Sequence, residues 1–447
     1  MRKTLTSSGK ASEQRQSLLV VGGGVAGLEI ATALGRRGGS RGSRLPPVTL
    51  IDRDFAHVWK PMLHTIAAGT RDVYQQQTSY IAQAYAAGFR YEPGELLGLD
   101  REKREVEVAA VQAIDGRVLM PARRLSYDTL ILAVGSQAND FGTPGVSEHC
   151  HTIDSRSQAA SFGDEVRMRL LECMGREGSE GRLSIAIVGG GATGVELAAE
   201  LIGLVEAVEA YGASGLTARL SVTLIEGGPR LLAAFPQDIS GAVRQRLGAL
   251  GVRVLTKMRV KAATQRGFVL GDGTELAASL RVWAAGVKAP DFLAGLGGLE
   301  TNRSNQLLVR PSLQTTLDPS IYAVGDCASL VPVGGDLPLP PTAQVAHQQA
   351  QHLIRHLPAA LEYCTQVPDF SHTDFGALVS LADYDAYGSL GKTGMFKGVT
   401  FKGRLAQLSH VLLYRSHQAR LHGFARGSLL WLVDLLNARL RPSVRLD

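Results

Sequence analysis

The 447-residue chain contains little cysteine, which restricts the chemistry that it can perform. No two of its cysteines form the close CxxC pair that redox dithiols and many zinc sites use, and their spacing matches no disulfide framework. We therefore expect a reducing compartment and no cysteine metal site. The four residues are Cys150, Cys173, Cys327 and Cys364.

Long apolar runs are also missing. No run approaches the roughly 18 residues that a membrane-spanning helix needs. Residues 1–16 are polar and lack the hydrophobic centre of a signal peptide, so we expect a frayed terminus. Any attachment to a membrane must therefore be lateral.

Charge is distributed unevenly along the chain, whose net charge is +6. Residues 397–447 carry nine basic side chains against two acidic ones, a net +7, which leaves −1 for the rest. A nearly neutral body with a basic tail fits an anionic membrane surface better than nucleic acid. No basic stripe with interleaved aromatics occurs elsewhere, so the sequence predicts no nucleic-acid partner.

The chain contains one internal repeat. Residues 17–27 and 184–194 each form an apolar run that leads into a glycine-rich turn, and a helix-compatible stretch follows each. A second apolar run then ends in an acid, Asp52 in the first copy and Glu226 in the second. Two strand–turn–helix–strand units of this kind predict an α/β fold with two Rossmann-like dinucleotide-binding domains.

Both turns fit the GxGxxG fingerprint. The first glycine permits a tight turn, the second lets the backbone approach a pyrophosphate, and the third lets helix and strand pack closely. The terminal acids would accept hydrogen bonds from ribose hydroxyls, and Glu226 would repel a 2′-phosphate, which favours NADH over NADPH; Arg230 nearby weakens that preference slightly. The alternative is that these are strand-end acids and helix-packing glycines. The six glycines are Gly22, Gly24, Gly27, Gly189, Gly191 and Gly194.

Other segments complete the predicted architecture. Residues 91–127 alternate in polarity and predict antiparallel strands that cover the first unit. Residues 129–135 and 281–286 are further buried strands that meet glycine turns. Residues 331–341, rich in proline and glycine, predict a loop. From about Phe375 a β-like stretch precedes a basic, amphipathic helical tail.

Together with the two units, the motif at 321–328 (IYAVGDCA) resembles the flavoproteins with two dinucleotide-binding domains that are related to glutathione reductase. That resemblance implies non-covalent FAD in the first cradle and the nicotinamide in the second. It implies that Asp326 hydrogen-bonds the ribityl-phosphate side of the flavin and that Gly325 lets the backbone turn against the cofactor.

Within that superfamily the chain resembles the single-subunit type II NADH:quinone dehydrogenases of bacterial respiratory chains, from about Leu18 to Arg441. The implied domains are an FAD-binding domain in two parts, an NADH-binding domain between them, and a C-terminal interface and membrane-association region. Their respective bounds are 16–153 with 305–375, 182–291, and 376–447. The matching stretches are WKPMLH (59–64), GGGATGVE (189–196), WAAGVKAP (283–290), PTAQVAHQ (341–348) and LYRSHQ (413–418).

The resemblance also assigns residues to the cofactors. Lys60 is expected to line the flavin near the substrate channel, and Lys392 to meet it from the C-terminal side. Gly286 and Ala343 are expected at the cofactors as well.

The acceptor follows from a missing cysteine pair. Disulfide reductases of this superfamily carry electrons onward through cysteines beside the flavin, whereas residues 58–68, where such a pair would lie, contain none. Electrons must therefore leave the flavin directly for a diffusible acceptor, which by resemblance is a quinone, either ubiquinone or menaquinone. Without a spanning helix the enzyme cannot pump protons.

Three residues are expected to act in catalysis by resemblance. Glu196 matches the family glutamate beside the stacked nicotinamide and flavin; the alternative is an ordinary acid in the first turn of a helix. Gln344 and Gln348 match the family's quinone-end glutamines, and their spacing of four puts both on one helical face. The alternative is that they cap or pack an internal helix. His347, off that face, is assigned no catalytic role.

The tail predicts an amphipathic helix, because four leucines repeat on the side opposite Asp434 and Asn437. With Trp431 beside the leucines and arginines nearby, we expect it to lie on lipid, although the same face could pack on the body or on another subunit. The family implies peripheral attachment at the cytoplasmic face of the bacterial inner membrane and a homodimer. The leucines are Leu429, Leu432, Leu436 and Leu440.

Two other functions remain open. A related quinone reductase that oxidises sulfide would need cysteines flanking the flavin, for which Cys150 and Cys327 are conceivable. A flavoprotein that uses NADH binding as a redox switch for partner association would show little turnover, and no partner-binding appendage supports it.

Overall fold

The computed structural model describes most of the chain. The described residues are 17–39, 43–71, 77–175, 182–213, 215–391 and 399–440.

Within these ranges helices and strands alternate along most of the chain. The helices are α1 Val25–Gly38, α2 Leu63–Ala67, α3 Tyr80–Ala87, α4 Val146–His149, α5 Arg156–Gly175, α6 Ala192–Ala210, α7 Gln237–Ala249, α8 Ala343–Tyr363, α9 Arg404–His422 and α10 Phe424–Leu440. The strands are β1 Leu18–Val21, β2 Val48–Asp52, β3 Ala56–Val58, β4 Gln77–Ser79, β5 Arg90–Pro93, β6 Leu96–Asp100, β7 Glu105–Val108, β8 Val111–Gln112, β9 Val118–Met120, β10 Arg123–Ser126, β11 Thr129–Leu132, β12 Gln137–Ala138, β13 Leu183–Val188, β14 Leu220–Ile225, β15 Arg253–Leu255, β16 Val260–Thr264, β17 Gly267–Leu270, β18 Glu275–Ala277, β19 Leu280–Trp283, β20 Val287–Lys288, β21 Leu307–Leu308, β22 Ile321–Ala323, β23 Ala328–Ser329, β24 Ala377–Leu381, β25 Asp385–Ser389 and β26 Thr400–Lys402.

The first dinucleotide unit is built on a parallel sheet with strand order β22-β11-β1-β2-β5. Leu18 of β1 lies opposite Val48 of β2 on one side and Thr129 of β11 on the other. All four residues of β1 are buried, as expected for a central parallel strand covered on both faces. The sheet therefore joins residues 17–132 to the late segment 321–323.

The second unit repeats this arrangement on a smaller parallel sheet of order β15-β14-β13-β19. Val188 at the end of β13 pairs with Ile225 and with Trp283. The turn after β13 and the acid after β14 therefore meet at the carboxyl edge, where open α/β sheets bind their ligands. The two sheets confirm the predicted α/β fold with two Rossmann-like units.

Antiparallel strands accompany the units where the sequence predicted them. Strands β6, β7 and β10 form one such sheet within residues 91–127, and β24, β25 and β26 form another after residue 375. Residues 331–341 contain no helix or strand, as predicted.

The chain ends in a helical hairpin, α9 and α10, that turns at Gly423 with φ +81°. Helix α9 buries Tyr414, His417 and Leu421 among other residues against the body. Asp434 on α10 turns inward and binds Arg415 of α9, with 2.6 Å between Oδ2 and Nη1. No helix in the described part of the chain is long and apolar enough to cross a membrane.

The apolar surface of α10 is broader than the single leucine stripe read from the sequence. Because Asp434 faces α9, the apolar side chains are left on the outside of the hairpin. Those that are exposed are Phe424, Leu429, Leu430, Trp431, Leu432, Val433, Leu435, Leu436 and Leu440.

Candidate active site

The first glycine cradle lies between β1 and α1. Gly22 has φ +100°, and a Cβ there would overlap the carbonyl oxygen of Ala133. A Cβ at Gly27 would overlap the carbonyl of Gly22 in the same way. A Cβ at Gly24, by contrast, would meet no described atom within 4 Å. Packing within the protein thus explains why the first and third positions must be glycine. Open space lies over the middle glycine.

That open space is at the start of α1. Gly24 is the N-cap residue and supplies no side-chain cap, so the first N–H groups of the helix face the space with the positive end of the helix dipole. A dinucleotide pyrophosphate has the charge and the acceptor oxygens that such a helix start binds. The cradle therefore fits FAD.

Asp52 closes the side of this cradle. Its carboxylate accepts hydrogen bonds from the backbone N–H of Gly23 and of Asp54. Burial raises its pKa to about 6, against the lowering effect of those two hydrogen bonds. The carbonyl of the same residue, Gly23, accepts from Tyr80 Oη at 2.9 Å and from His57 Nδ1 at 2.9 Å. The loop is thus held from both sides.

The second cradle repeats the geometry. Gly189 has φ +117°, and a Cβ there would lie 2.5 Å from the carbonyl oxygen of Ala284. A Cβ at Gly194 would overlap the Gly189 carbonyl, whereas a Cβ at Gly191 would meet no described atom within 4 Å. The middle glycine again has open space at a helix start, here that of α6.

Glu226 takes the place of Asp52 in this second cradle. Its Oε2 accepts from the backbone N–H of Gly190 at 2.7 Å. Arg230, the nearby cation, is engaged elsewhere: its guanidinium donates to the carbonyls of Phe235 and Ala233, each at 2.7 Å. The Arg230 guanidinium is thus held by backbone carbonyls, and Glu226 is the side chain that binds the glycine turn.

The late Gly-Asp motif is linked to Lys60 through Ser136, a residue that the sequence did not single out. Asp326 Oδ2 accepts from Ser136 Oγ at 2.7 Å. Lys60 Nζ donates to the carbonyl and the hydroxyl of Ser136, at 2.8 and 3.0 Å. Ser136 follows the glycine turn after β11. Its position at the carboxyl end of that strand is the sequence feature that could have identified it as a site residue. The structure therefore brings Lys60 and Asp326 together through one serine.

Gln349 is a second residue that sequence reasoning missed. It is almost fully buried, and its Oε1 accepts from the backbone N–H of Gly325 at 2.7 Å. Gly325 itself has φ +75°, a conformation that favours glycine. Gln349 directly follows the AQVAHQ motif on helix α8. The residue next to that motif therefore holds the Gly-Asp turn in place.

Helix α8 begins at Ala343 with a side-chain cap from Thr342, whose hydroxyl accepts from Val345 N at 3.2 Å. Gln344 donates to the carbonyl of Gly376 at 2.9 Å and accepts from Phe375 N at 2.8 Å.

Gln348 makes an equivalent pair of bonds with the backbone of Thr373, at 2.7 and 2.9 Å. Both amides thus lie on one helical face and hold residues 373–376 in place. The second amide N–H of Gln344 has no partner among the described residues.

Glu196 lies in the second turn of α6 and is buried, with 6% of its surface exposed. Its Oε1 accepts from Ser380 N at 3.0 Å, and its Oε2 lies 3.4 Å from Nδ1 of His64. Burial raises its pKa to about 8, and the nearby Glu200 adds to the rise. Burial and the positive neighbours of His64 lower that imidazole's pKa to about 3. At neutral pH the pair is therefore a neutral carboxylic acid beside a neutral imidazole.

The remaining predicted residues are placed as follows. Gly286, with φ +69°, follows β19 and accepts from Asn139 N at 3.3 Å. Lys392 lies outside the described residues.

Two cysteines that a sulfide reductase would need are poorly suited to nucleophilic chemistry. Cys327 is fully buried, and burial raises its pKa to about 11. Burial likewise raises the pKa of Cys150 to about 12. Cys327 packs in the core of the first unit, whereas Cys150 packs in a separate cluster beside β19. Thiols with raised pKa values carry little thiolate at neutral pH, and thiolate is the reactive form.

Comparison with known proteins identifies the family. The family model described as pyridine nucleotide-disulphide oxidoreductase matches residues 12–350. A curated protein of Haemophilus influenzae named type II NADH:quinone oxidoreductase is 41% identical over 446 residues, covering 96% of this chain and 100% of that protein.

Solved structures agree in fold. The structure of NDH2 from Plasmodium falciparum in complex with NADH has a TM-score of 0.79 at 20% identity, covering 97% of this chain and 100% of its own. The sulfide:quinone oxidoreductase of Aquifex aeolicus has a TM-score of 0.68 at 18% identity, covering 95% of each chain. Because NADH and sulfide enzymes share this fold, the fold does not separate them.

Proposed function

Because the chain belongs to the pyridine nucleotide-disulphide oxidoreductase family, and within it to the type II NADH:quinone oxidoreductases, we propose that it oxidises NADH through bound FAD and reduces a membrane quinone. The family membership confirms the resemblance read from the sequence. The observation that carries the proposal is the pair of matching cradles, each with open space over its middle glycine, in a chain without a CxxC pair.

The first cradle holds FAD. The start of α1 binds the pyrophosphate, Asp52 accepts from the ribose, and Lys60 with Asp326 lies toward the flavin end. FAD supplies the ability to accept a hydride from NADH and to pass electrons to a quinone. The protein's own contribution is to orient the two substrates and to exclude thiol intermediates. Ala343 at the start of α8 completes the proposed FAD contacts among the described residues.

The second cradle selects NADH. Glu226 accepts from the adenosine ribose hydroxyls and would repel a 2′-phosphate. Arg230, the cation that would favour NADPH, donates to the carbonyls of Ala233 and Phe235, so its guanidinium is held by backbone acceptors. Gly286 lies at the nicotinamide side of this unit, after β19.

Glu196 supplies the proton that the overall reaction needs. NADH, one proton and quinone give NAD⁺ and quinol, so each turnover consumes one proton from solvent. A carboxyl group with a pKa of about 8 holds a proton at neutral pH and can release it, which suits a general acid. His64, within 3.4 Å, is neutral and adds no positive charge that would ionise the carboxyl.

Gln344 and Gln348 form the quinone end. Their carbonyl groups and one N–H each are used to hold residues 373–376, which makes them structural as well. The second N–H of Gln344 is the donor that we assign to a quinone carbonyl, because an amide donates without adding charge to an apolar channel.

The C-terminal hairpin attaches the enzyme to lipid. Its outer surface carries the exposed apolar residues of α10, and Arg404, Arg420 and Arg426 of the hairpin are exposed as well, a combination that favours an anionic interface. We assign the cytoplasmic face of the bacterial inner membrane, a homodimer, and the domain limits 16–153 with 305–375, 182–291 and 376–447.

Anaerobic stoichiometry tests the function. The purified flavoprotein receives one equivalent of NADH, and the flavin absorbance is followed before and after a short-chain quinone is added without thiols. We expect bleaching by NADH and rapid recovery with the quinone. Bleaching without recovery would exclude the quinone as acceptor, and no bleaching would exclude NADH as donor. A parallel sample with sulfide in place of NADH should not bleach, because Cys150 and Cys327 are held protonated.

A further inference from the structure

A chain of buried polar side chains joins the C-terminal hairpin to the FAD cradle. It runs from Glu29 on α1 to His417 on α9, then to His57 in β3, and ends on the carbonyl of Gly23 in the cradle. The successive distances are 2.9 Å from Glu29 Oε1 to His417 Nδ1, 3.0 Å between the two Nε2 atoms, and 2.9 Å from His57 Nδ1 to the Gly23 oxygen. Glu29, His57 and His417 are each at most 4% exposed.

The positions of the protons follow from the ends of this chain. The Gly23 carbonyl can only accept, so His57 Nδ1 must carry a proton and donate it. Burial lowers the pKa of His57 to about 3, so the ring is neutral and its bare Nε2 accepts from His417 Nε2–H. Hydrogen bonds therefore run in one direction, from the hairpin toward the cradle.

Glu29 forms the other end of this chain of polar side chains. Burial opposes its ionisation, but hydrogen bonds from His347 and His417 outweigh burial and lower its pKa to about 2. As a carboxylate it accepts from His417 Nδ1, and its second oxygen accepts from His347 Nδ1 at 2.7 Å and from Gln351 Nε2 at 3.0 Å. His417 thus lies between the Glu29 carboxylate at its Nδ1 and the His57 ring at its Nε2.

The end of α9 is seated on the same unit by further contacts. Gln83 donates to the carbonyl of Leu421 at 2.6 Å, and Arg36 donates to the carbonyls of Leu421 and Arg420. These donors satisfy carbonyl groups that a helix end leaves without partners.

An aromatic contact lies on the other side of His417. Trp59 is nearly buried and packs against Tyr414, with ring centroids 5.3 Å apart, and its ring stacks on that of His417 at 6.3 Å. Val25, the first residue of α1, completes this cluster. The hairpin thus contacts the helix whose start forms the cradle.

We propose that His417 is a positioning residue that couples seating of the α9–α10 hairpin to retention of FAD. The hairpin donates through His417 and His57 to the carbonyl of Gly23, and Asp52 holds the N–H of the same residue, so a hairpin in place fixes the cradle loop in its FAD-binding form. Coupling of this kind is reciprocal: FAD stabilises the seated hairpin by the same factor by which the hairpin strengthens FAD binding. The inference rests on the proposed FAD site and does not depend on quinone turnover.

The first test measures the dissociation constant of FAD. The full-length protein in detergent is freed of FAD and retitrated by equilibrium dialysis, as wild type, His417→Ala and His410→Ala. His410 is the matched control, because it lies on the same helix and contacts Trp59 but makes no hydrogen bond to another described residue. We expect about tenfold weaker FAD binding for His417→Ala, on the order of 1.4 kcal/mol, and less than a twofold change for the control.

Added imidazole separates positioning from general loss of packing. It can enter the space left by His417→Ala and should restore much of the FAD affinity, which a merely destabilised fold would not show. Should His417→Ala fail to fold by circular dichroism, Glu29→Gln serves instead, since it removes the negative partner at nearly constant volume and should weaken FAD binding in the same direction.

The second test measures how FAD changes the accessibility of the hairpin to trypsin. Trypsin cleaves after exposed Arg426, close to the turn between α9 and α10, and the cleavage rate is measured with and without saturating FAD, with no NADH or quinone present. We expect FAD to slow cleavage about tenfold in wild type and in His410→Ala, and to leave the rate unchanged in His417→Ala. FAD affinity of His417→Ala or Glu29→Gln within twofold of the control, or FAD-independent cleavage in wild type, would overturn the proposal. Because neither readout involves a substrate, failure of the quinone test would leave this result unaffected.

Discussion

The two nucleotide-binding units share one cradle and differ in what surrounds it. In both, the acid after the second strand accepts from the middle of the glycine turn, Asp52 from Gly23 and Glu226 from Gly190. In the first unit the Gly23 carbonyl is held by two side chains from elsewhere, whereas the Gly190 carbonyl accepts only from the nearby backbone N–H of Leu232, at 2.7 Å, among the described residues.

The difference suits the two ligands. FAD must stay through many turnovers, and its cradle is tied to β3, α3 and the C-terminal hairpin. NADH must arrive and leave, and its cradle is held by local backbone contacts. The same backbone geometry thus serves a resident cofactor or an exchanging substrate, depending on what the rest of the chain adds.

The largest effect is expected when alanine replaces the first glycine of either cradle. Gly22→Ala should abolish stoichiometric FAD, measured as flavin absorbance per protein, because the Cβ overlaps the Ala133 carbonyl and φ is +100°. Gly189→Ala should keep its FAD but weaken NADH binding at least about 100-fold, measured by flavin reduction. Gly251→Ala, at φ +84° with open space around it, controls for backbone strain alone. Loss of FAD from Gly189→Ala would mean that the two cradles are not independent.

Glu196→Gln tests the chemistry between the units. The quinone-dependent rate should fall by about 100-fold, while reduction of the flavin by NADH stays within a fewfold of wild type. In wild type the rate should decline as pH rises through about 8, because the raised pKa means that the proton is present below that value and lost above it. A variant whose pH profile keeps that decline would show that another group supplies the proton.

Glu226→Gln sharpens the comparison of the ribose acids. We expect about tenfold weaker NADH binding and a smaller preference over NADPH, because the charge that repels a 2′-phosphate is gone. FAD content should stay at wild type. Arg230→Ala, which removes the cation held by backbone carbonyls, should leave the NADH to NADPH ratio unchanged; a shift toward NADH in that variant would mean that Arg230 does contact the phosphate.

The smallest effect is expected at the membrane surface. Leu432→Asp should reduce partition onto anionic vesicles several-fold, since it replaces an exposed apolar side chain by a charge of the wrong sign. FAD content and reduction by NADH should not change. Tyr85→Asp, on an exposed part of α3, is the control. Equal partition of both variants would show that α10 is not the surface that binds the vesicles.

Local sequence was sufficient for the units themselves. The glycines of each cradle, the apolar strands before them and the acids after them follow short-range rules of turn geometry and strand burial, so their local structure could be predicted without a fold. The loop at 331–341 and the β stretch before the helical tail followed from the same rules. The resemblance then supplied the cofactors and the acceptor.

Only the tertiary structure decided how distant segments meet. Ser136 binds Lys60, 76 residues before it, and Asp326, 190 residues after it, and no periodicity indicates that bridge. The hydrogen bond between Glu29 and His417 spans 388 residues and depends on where the hairpin packs. Asp434 faces α9 because Arg415 lies there, which the leucine spacing alone did not reveal.

The protonation of the site is also a property of the fold. The Glu196 carboxyl has a raised pKa because folding removes water from around it, and Glu29 has a lowered one because two histidines from other helices reach it. The sequence by itself determined which phosphate cradles exist, since turn conformation is local. Packing between segments far apart in the chain decided which charges they face and which contacts hold them, since desolvation and long-range hydrogen bonds arise only when those segments come together.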